Sequence, residues 1–354
     1  MANKSLGSAK KAKNDEFYTQ LVDIENELKH YTSQLRGKVV FCNCDDPFES
    51  NFFKYFAMNF NQLGLKKLIA TCYDPSPIAG SQLAIRDIEP PLIPNVKKST
   101  KHAYKIEITE VSDSDGNGST NLADVEYLLK NDGNSLKLLA EDGDFRSAES
   151  LSLLEQADII VTNPPFSLFL EYLSLLVTHK KKFIVMGNMN SLHKKDIFKL
   201  IKSNKIWTGY GFNRTCEFVM PDHYERWDRI EDGKKIGKVP AITWFTNLDV
   251  TKRHDHMIMY KKYSPATYIK YDNLDAIEIG KISDIPEDYY GLMGVPDTFL
   301  ENFNPEQFEL IGIPTGNLGK EIGVAKNYRG RTDISFTING KTSCPYSRII
   351  IKRK

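Results

Sequence analysis

Asn163, Pro164, Pro165 and Phe166 stand directly after Asp158-Ile159-Ile160-Val161-Thr162, an apolar run that reads as a buried parallel strand. The carboxyl end of a strand is where open α/β sheets bind ligands. Each of the four residues has a separate task there if a methyl group is to pass from the sulfonium of S-adenosyl-L-methionine to an exocyclic amine. The Asn163 side-chain oxygen and the Pro164 carbonyl can both accept from the amine and draw its lone pair toward the methyl, while Phe166 can stack on the ring that carries it. The two prolines fix φ and bring no N–H, so no internal donor competes for those acceptors. Asn-Pro-Pro is also ordinary turn punctuation. Two further strand-to-loop junctions raise it above that reading. Lys38-Val39-Val40-Phe41-Cys42 runs into Asn43-Cys44-Asp45-Asp46-Pro47, and Asp142-Gly143-Asp144-Phe145-Arg146-Ser147 lies one short helix upstream of the Asp158 strand. Acidic loops at such ends suit the ribose hydroxyls and adenine amino group of a nucleoside cofactor.

The elements that must hold these loops follow from periodicity. Asp15-Glu16-Phe17-Tyr18-Thr19 opens a helix that continues through Leu28 and ends at Gly37. Ser50 caps an apolar, aromatic helix stopped by Gly64, and residues 67–73 form the next strand. Residues 136–140 resume the alternation, followed by a helix over 147–156, the Asp158 strand, a helix over 168–178, a strand over 183–186 and a helix over 194–202. This order predicts an α/β fold built on a doubly wound, mostly parallel seven-stranded sheet. Residues 207–220 and 241–247, separated by a polar segment, are expected to finish it as an antiparallel pair. An insertion at about 75–134 interrupts the rhythm, with alternation at Tyr104-Lys105-Ile106-Glu107-Ile108 and a turn at Ser114-Asp115-Gly116-Asn117-Gly118. Asp113, Asp115, Asn117, Gly118 and Asp124 approach a calcium-loop pattern, but Asp replaces the final Glu and no helix precedes, so a hairpin turn is preferred.

Composition narrows the classes. Apolar residues make up 41% and charged residues 26%, as in a globular protein, and no apolar run approaches the length that spans a bilayer. Residues 1–13 carry Lys4, Lys10, Lys11 and Lys13 without an apolar core, which reads as a flexible basic tail rather than a secretory signal. Cys42, Cys44, Cys72, Cys216 and Cys344 give neither a disulfide framework nor paired zinc spacing, so a reduced, cytoplasmic protein without a metal site is expected. The net charge of +1 neither requires nor forbids nucleic acid. Lysines at 180–182, 194, 195, 199, 202, 205, 234 and 235 and the Lys252-Arg253 pair can track phosphates or simply solvate helix faces.

In this order the residues resemble the γ-type N6-adenine DNA methyltransferases, and among them the EcoRI-type modification methylases. The resemblance runs from Lys13-Asn14-Asp15-Glu16-Phe17-Tyr18-Thr19-Gln20 through Cys42 to Pro47, Gly143-Asp144-Phe145-Arg146-Ser147 and Thr162 to Phe169, then Thr246-Asn247-Leu248-Asp249, Met293-Gly294-Val295-Pro296, Phe303 to Leu310 and Cys344-Pro345-Tyr346-Ser347-Arg348. It implies a class I S-adenosyl-L-methionine-dependent catalytic domain over 14–250 and a DNA target-recognition region over 251–354. Phe17, Tyr18 and Thr19 would line the methionine end of the cofactor. Cys42, Asn43, Asp45 and Asp46 would replace the usual glycine-rich first loop. Asp144 would accept from the adenine amino group, with Phe145 and Phe169 packing on its ring; Asp74 is a weak candidate for the ribose.

The implied reaction is a direct in-line displacement on a flipped-out adenine, which requires neither a metal nor a covalent intermediate. Trp244 or Phe245 would give a second stacking face if not simply core. The implied partner is double-stranded DNA, read at an A·T-rich palindrome such as GAATTC, by a monomer; any cognate restriction endonuclease would form no stable complex with it. An RNA N6-adenine methyltransferase can use the same turn. A protein glutamine methyltransferase would carry Tyr in place of Phe166, and a non-catalytic DNA-binding protein would have no use for Asn163 and Asp144.

Overall fold

The computed structural model describes residues 17–47, 50–72, 103–114, 116–118, 120–131, 136–220 and 224–354. They fall into two compact units, one formed by the described residues up to Met189 together with Gly209–Leu248, the other by Asn190–Thr208 and Asp249–Lys354. The strands of the first unit begin with β1 (Tyr18–Thr19), β2 (Val39–Cys42), β3 (Lys67–Thr71), β4 (Tyr104–Ile108), β5 (Leu136–Leu138), β6 (Ile159–Thr162) and β7 (Lys182–Asn188). A short β8 (Trp207–Thr208) belongs to the second unit, and β9 (Arg214–Met220), β10 (Arg229–Glu231) and β11 (Lys234–Thr246) return to the first.

β3, β2, β6 and β7 pair side by side in parallel. Their near-continuous burial explains why they read as unbroken apolar runs: both sheet faces are covered. From β2 the chain proceeds to β3 on one side and, later, to β6 on the other. That reversal between β2 and β6 is the topological switch point at which open α/β sheets leave a crevice. Helices Asn51–Met58, Ala148–Gln156 and Phe169–Thr178 pack apolar faces through Phe53, Leu153, Leu154, Leu173 and Leu176. Two start at serine caps, Ser50 accepting from Phe52 N and Ser147 from Ser150 N, each at 3.1 Å.

The sheet is mixed rather than mostly parallel, and its hydrogen-bonded path β1-β9-β11-β7-β6-β2-β3-β4-β5 holds nine strands rather than seven. β4 is antiparallel to β3 and β5 to β4, so the alternating stretch at Tyr104 is a sheet strand and not part of an excursion. The loop after it leads into the Leu122–Asn131 helix instead of closing a hairpin, and it folds around Asp113, whose carboxylate accepts from Gly116 N, Asn117 N and Gly118 N at 2.8, 3.1 and 2.7 Å. Asp115 lies outside the described residues, as do 1–13 and Asp74. Phe17 to Thr19 do not start a helix; they run extended into β1, which pairs with β9 in the register Tyr18↔Val219 and Thr19↔Phe218. The polar segment contains a hairpin turning at Asp232-Gly233, both with positive φ. β11 absorbs Pro240 and Ala241 at a register shift between Val239 and Ile242.

In the second unit β12 (Ala276–Glu278), β13 (Leu292–Pro296), β14 (Phe308–Gly312) and β17 (Arg348–Arg353) form a sheet in the order β12-β13-β17-β14, while β15 (Phe336–Ile338) and β16 (Lys341–Ser343) make a separate hairpin. Much of the Phe303 to Leu310 stretch is architecture. Fully buried Asn304 donates to the Asp255 carbonyl, and Gln307 brackets Met257 by accepting from its N–H and donating to its carbonyl, both at 2.8 Å. Arg348 clamps Glu278 at 2.6 Å. Among the described residues no helix is long and apolar enough to cross a membrane.

Candidate active site

β2 and β6 end side by side, and there a cleft opens. Phe17, Tyr18, Asn43, Asp45, Asp46, Asp144, Phe145, Asn163 and Pro165 of the sequence-derived set all line it.

The turn after β6 is held from several sides. Asp45 accepts from the Ser50 hydroxyl at 2.7 Å and from the Thr162 hydroxyl, so its carboxylate straps the β2 loop to the residue before Asn163. Asp46 accepts from the Tyr104 hydroxyl at 2.9 Å; burial, and then the Asp46 charge, push that phenol's pKa well up and keep it a donor. Asn163 is buried, and its Nδ2 donates to the Phe17 carbonyl at 2.8 Å. Phe17 is fixed in turn by β1 pairing, and the Thr19 carbonyl accepts from Asn51 Nδ2 at 2.8 Å. The amide of Asn163 is thereby oriented, and its Oδ1 accepts nothing among the described residues. A buried acceptor left this way costs about 1–3 kcal/mol until a donor arrives.

On the cofactor side expected from the sequence, Gly143 has φ +78°, and a Cβ there would stand 2.2 Å from the Cys72 carbonyl oxygen. Only glycine lets the loop pass so close to the end of β3. Asp144 grips Arg146 through Nε at 2.8 Å and Nη2 at 2.5 Å, and Arg146 also reaches Glu171 at 3.1 Å. Phe145 is buried edge-on against Tyr172, with ring centroids 5.1 Å apart.

Thr19, Cys42, Pro164, Phe166 and Phe169 do not line the cleft. Thr19 points its hydroxyl at Met186 Sδ, 3.7 Å away, and Cys42 is a fully buried strand residue whose thiol pKa is raised by burial. Phe169 lies over the sheet instead, its ring filling the space above Gly187 and packing on Phe245 at 5.0 Å. Trp244 and Phe245 are core, Trp244 against Phe52 at 5.8 Å. Phe166 is half-buried and edges onto Phe17 and Phe218, and Phe17 meets Tyr224 at 5.2 Å. Spacing gave no signal for Phe218 or Tyr224, which come to the site from a distant part of the chain, nor for Tyr172, whose place depends on which face the helix after the Asn163 turn buries.

Ser347, His193 and Asp297 also cluster, but His193 Nε2 meets both Ser347 Oγ at 3.1 Å and Asp297 Oδ2 at 3.0 Å. A nucleophilic relay needs the two partners on opposite ring nitrogens, so this group is a structural knot. Among the described residues no cluster of three or more His, Cys, Asp or Glu side chains is arranged to hold a metal ion.

An α/β sheet with a cleft at its switch point thus brings together an Asn-Pro-Pro-Phe turn and an oriented, unsatisfied acceptor. Residues 5–354 match the family model described as adenine-specific methyltransferase EcoRI. Type II methyltransferase M.EcoRI of Escherichia coli is 45% identical over 359 residues, covering 99% of this chain and 97% of the relative. M.MpnI of Mycoplasma pneumoniae is 35% identical over 356 residues (98% and 97%), and M.MgeORF184P of Mycoplasma genitalium 37% over 361 residues (98% and 98%). No solved structure matches the chain. The chain belongs to the EcoRI family of adenine-specific methyltransferases, and its activity is that of a type II adenine-specific DNA methyltransferase.

Proposed function

We propose that the enzyme transfers a methyl group from S-adenosyl-L-methionine to N6 of an adenine flipped out of duplex DNA, with the sheet acting as a class I methyltransferase sheet. The observation that carries this reading is the buried Asn163 Oδ1, pointed by the Phe17 carbonyl and lacking a donor among the described residues. An exocyclic amine is the donor it fits. Paired in a duplex, N6 is already hydrogen-bonded and cannot present its lone pair, so the base must leave the stack to reach Asn163 and the Pro164 carbonyl. Orientation by these two acceptors is the catalysis the chain itself supplies. Phe166, braced by Phe17 and Phe218, serves as the stacking platform for the flipped base.

The cleft fits the cofactor. Phe145 supplies an apolar wall, Asp144 an acceptor for the adenine amino group, and Phe17 and Tyr18 the flank of the methionine end. When bound, S-adenosyl-L-methionine brings a methyl group activated by positively charged sulfur. Asp45 acts through the strap it makes between Ser50 and Thr162, and Arg146 holds the Asp144 carboxylate in place. Asp144→Ala should weaken S-adenosylmethionine binding by about 1–3 kcal/mol, since the cofactor amino group then goes unpaired. A dissociation constant unchanged in calorimetry would assign that role elsewhere.

Residues 251–354 are proposed as the target-recognition region, reading an A·T-rich palindrome for which GAATTC is the candidate word. The protein acts as a monomer, since each strand of a palindrome can be methylated in a separate encounter, and any cognate endonuclease works apart from it. Long-read sequencing of DNA methylated by the purified protein, with a structured RNA offered in parallel, tests the reading. N6-methyladenine at one duplex word supports it; methylation confined to RNA or scattered over unrelated duplex sequences overturns it.

A further inference from the structure

Asn43 follows β2 at the centre of the cleft and is only 4% exposed. Its Oδ1 accepts from the Tyr172 hydroxyl, and the Cys44 thiol lies 3.9 Å from the same oxygen. Tyr172 belongs to the Phe169–Thr178 helix and is fully buried, so its phenol holds the amide in one orientation. The other end, Nδ2, is buried and donates to nothing among the described residues. Turning the amide over would take from the buried Tyr172 hydroxyl the acceptor it now has.

The cleft therefore contains two asparagines clamped at one end and open at the other: Asn163 offers an acceptor and Asn43 a donor. Around Asn43 the neighbouring side chains Asp45 and Asp46 are acidic and suit ligand hydroxyls or an ammonium, not an anion. The cationic Arg146 is engaged by Asp144 and Glu171. A carboxylate entering this cleft needs a donor, and a charge-assisted bond is the strongest use of one. Resting on the cofactor reading above, we propose that Asn43 Nδ2 donates to the carboxylate at the methionine end of the cofactor. Tyr172 is the positioning residue that aims it.

The test compares two ligands in calorimetry: S-adenosylhomocysteine, which keeps the carboxylate, and 5′-methylthioadenosine, which lacks the amino-acid end. Asn43→Asp still accepts from Tyr172 but replaces the donor with a negative charge. Binding of S-adenosylhomocysteine should weaken by about a hundredfold while 5′-methylthioadenosine changes by less than about threefold. Tyr172→Phe should weaken the first by about tenfold and spare the second. If Asn43→Asp does not fold, Asn43→Ala removes the donor without adding charge and must show the same selective loss. Equal effects on both ligands, or none on either, overturn the assignment. Failure of the unmutated protein to bind either ligand would instead overturn the cofactor reading, and the assignment with it.

Discussion

Asn163→Ala lowers methyl transfer by on the order of a hundredfold or more, with cofactor and duplex dissociation constants close to those of the unmutated enzyme. The size follows from where the lost atom sits. Oδ1 is a buried acceptor whose geometry is set in advance by the 2.8 Å bond from Nδ2 to the Phe17 carbonyl, so no reorganisation is needed when an amine arrives. A group aimed at the reacting centre in this way contributes mainly to the transition state, and its removal lowers kcat rather than raising KM. Pro164 keeps its carbonyl in the variant and accounts for the residual rate. Stability should hardly fall, because alanine removes an unsatisfied buried atom at the same time as it removes a bonded one. Single-turnover rates on a duplex, with melting temperatures alongside, decide the matter; undiminished turnover in a folded variant would remove Asn163 from the mechanism.

The turn that carries Asn163 was legible because a buried parallel strand leaves an apolar run, and Asn-Pro-Pro at its end has few conformations to choose from. The serine caps at Ser50 and Ser147 were legible for a similar reason: a local side-chain-to-backbone bond needs no tertiary partner. Strand direction was not. The alternating burial of β4 is the same whether it runs parallel or antiparallel to β3, so nothing local reveals that the sheet turns mixed at that edge. Phe17 to Thr19 were drawn into a helix by the sequence that follows, whereas pairing with β9 decides their conformation. Asp232-Gly233 is different, since the dipeptide announces a hairpin turn and could have been found. Phe169 sits one helical step from residues that line the cleft, and which face it takes depends on helix rotation against β7 rather than on residue type. The open ends of Asn43 and Asn163 are the least legible, because each is defined by what a distant residue does to the other end of the amide.

Glu27→Ala should destabilise the first unit by about 3 kcal/mol, because it leaves three hydrogen-bond donors without their acceptor. Glu27 lies in the Leu21–Leu28 helix and is only 1% exposed. Its Oε1 accepts from the Tyr31 hydroxyl at 2.8 Å and from Tyr210 N at 2.9 Å, and its Oε2 accepts from Gly211 N at 2.6 Å. Alanine would strand a fully buried phenol, at about 1–3 kcal/mol, and two part-buried backbone donors that cost less. No neighbouring side chain easily replaces the carboxylate: a Cβ on Gly209 would stand 2.1 Å from Oε1, so the loop is moulded on this group. The same loop exchanges backbone bonds with Trp244, Gly209 N donating at 2.8 Å and Gly211 O accepting at 2.9 Å, which anchors it to β11. Glu27→Gln keeps one acceptor but turns an N–H toward a donor, so it should lie between the two. A fall in melting temperature on the order of 10 °C is expected for the alanine variant, and a change of only a degree or two would mean that the loop finds other partners. The consequence reaches the cleft by a traceable route. Gly211 leads into β9, β9 pairs with β1, and β1 extends the Phe17 segment whose carbonyl aims Asn163. Activity of Glu27→Ala should therefore decline at temperatures below its own unfolding midpoint, as the loop loosens before the sheet does.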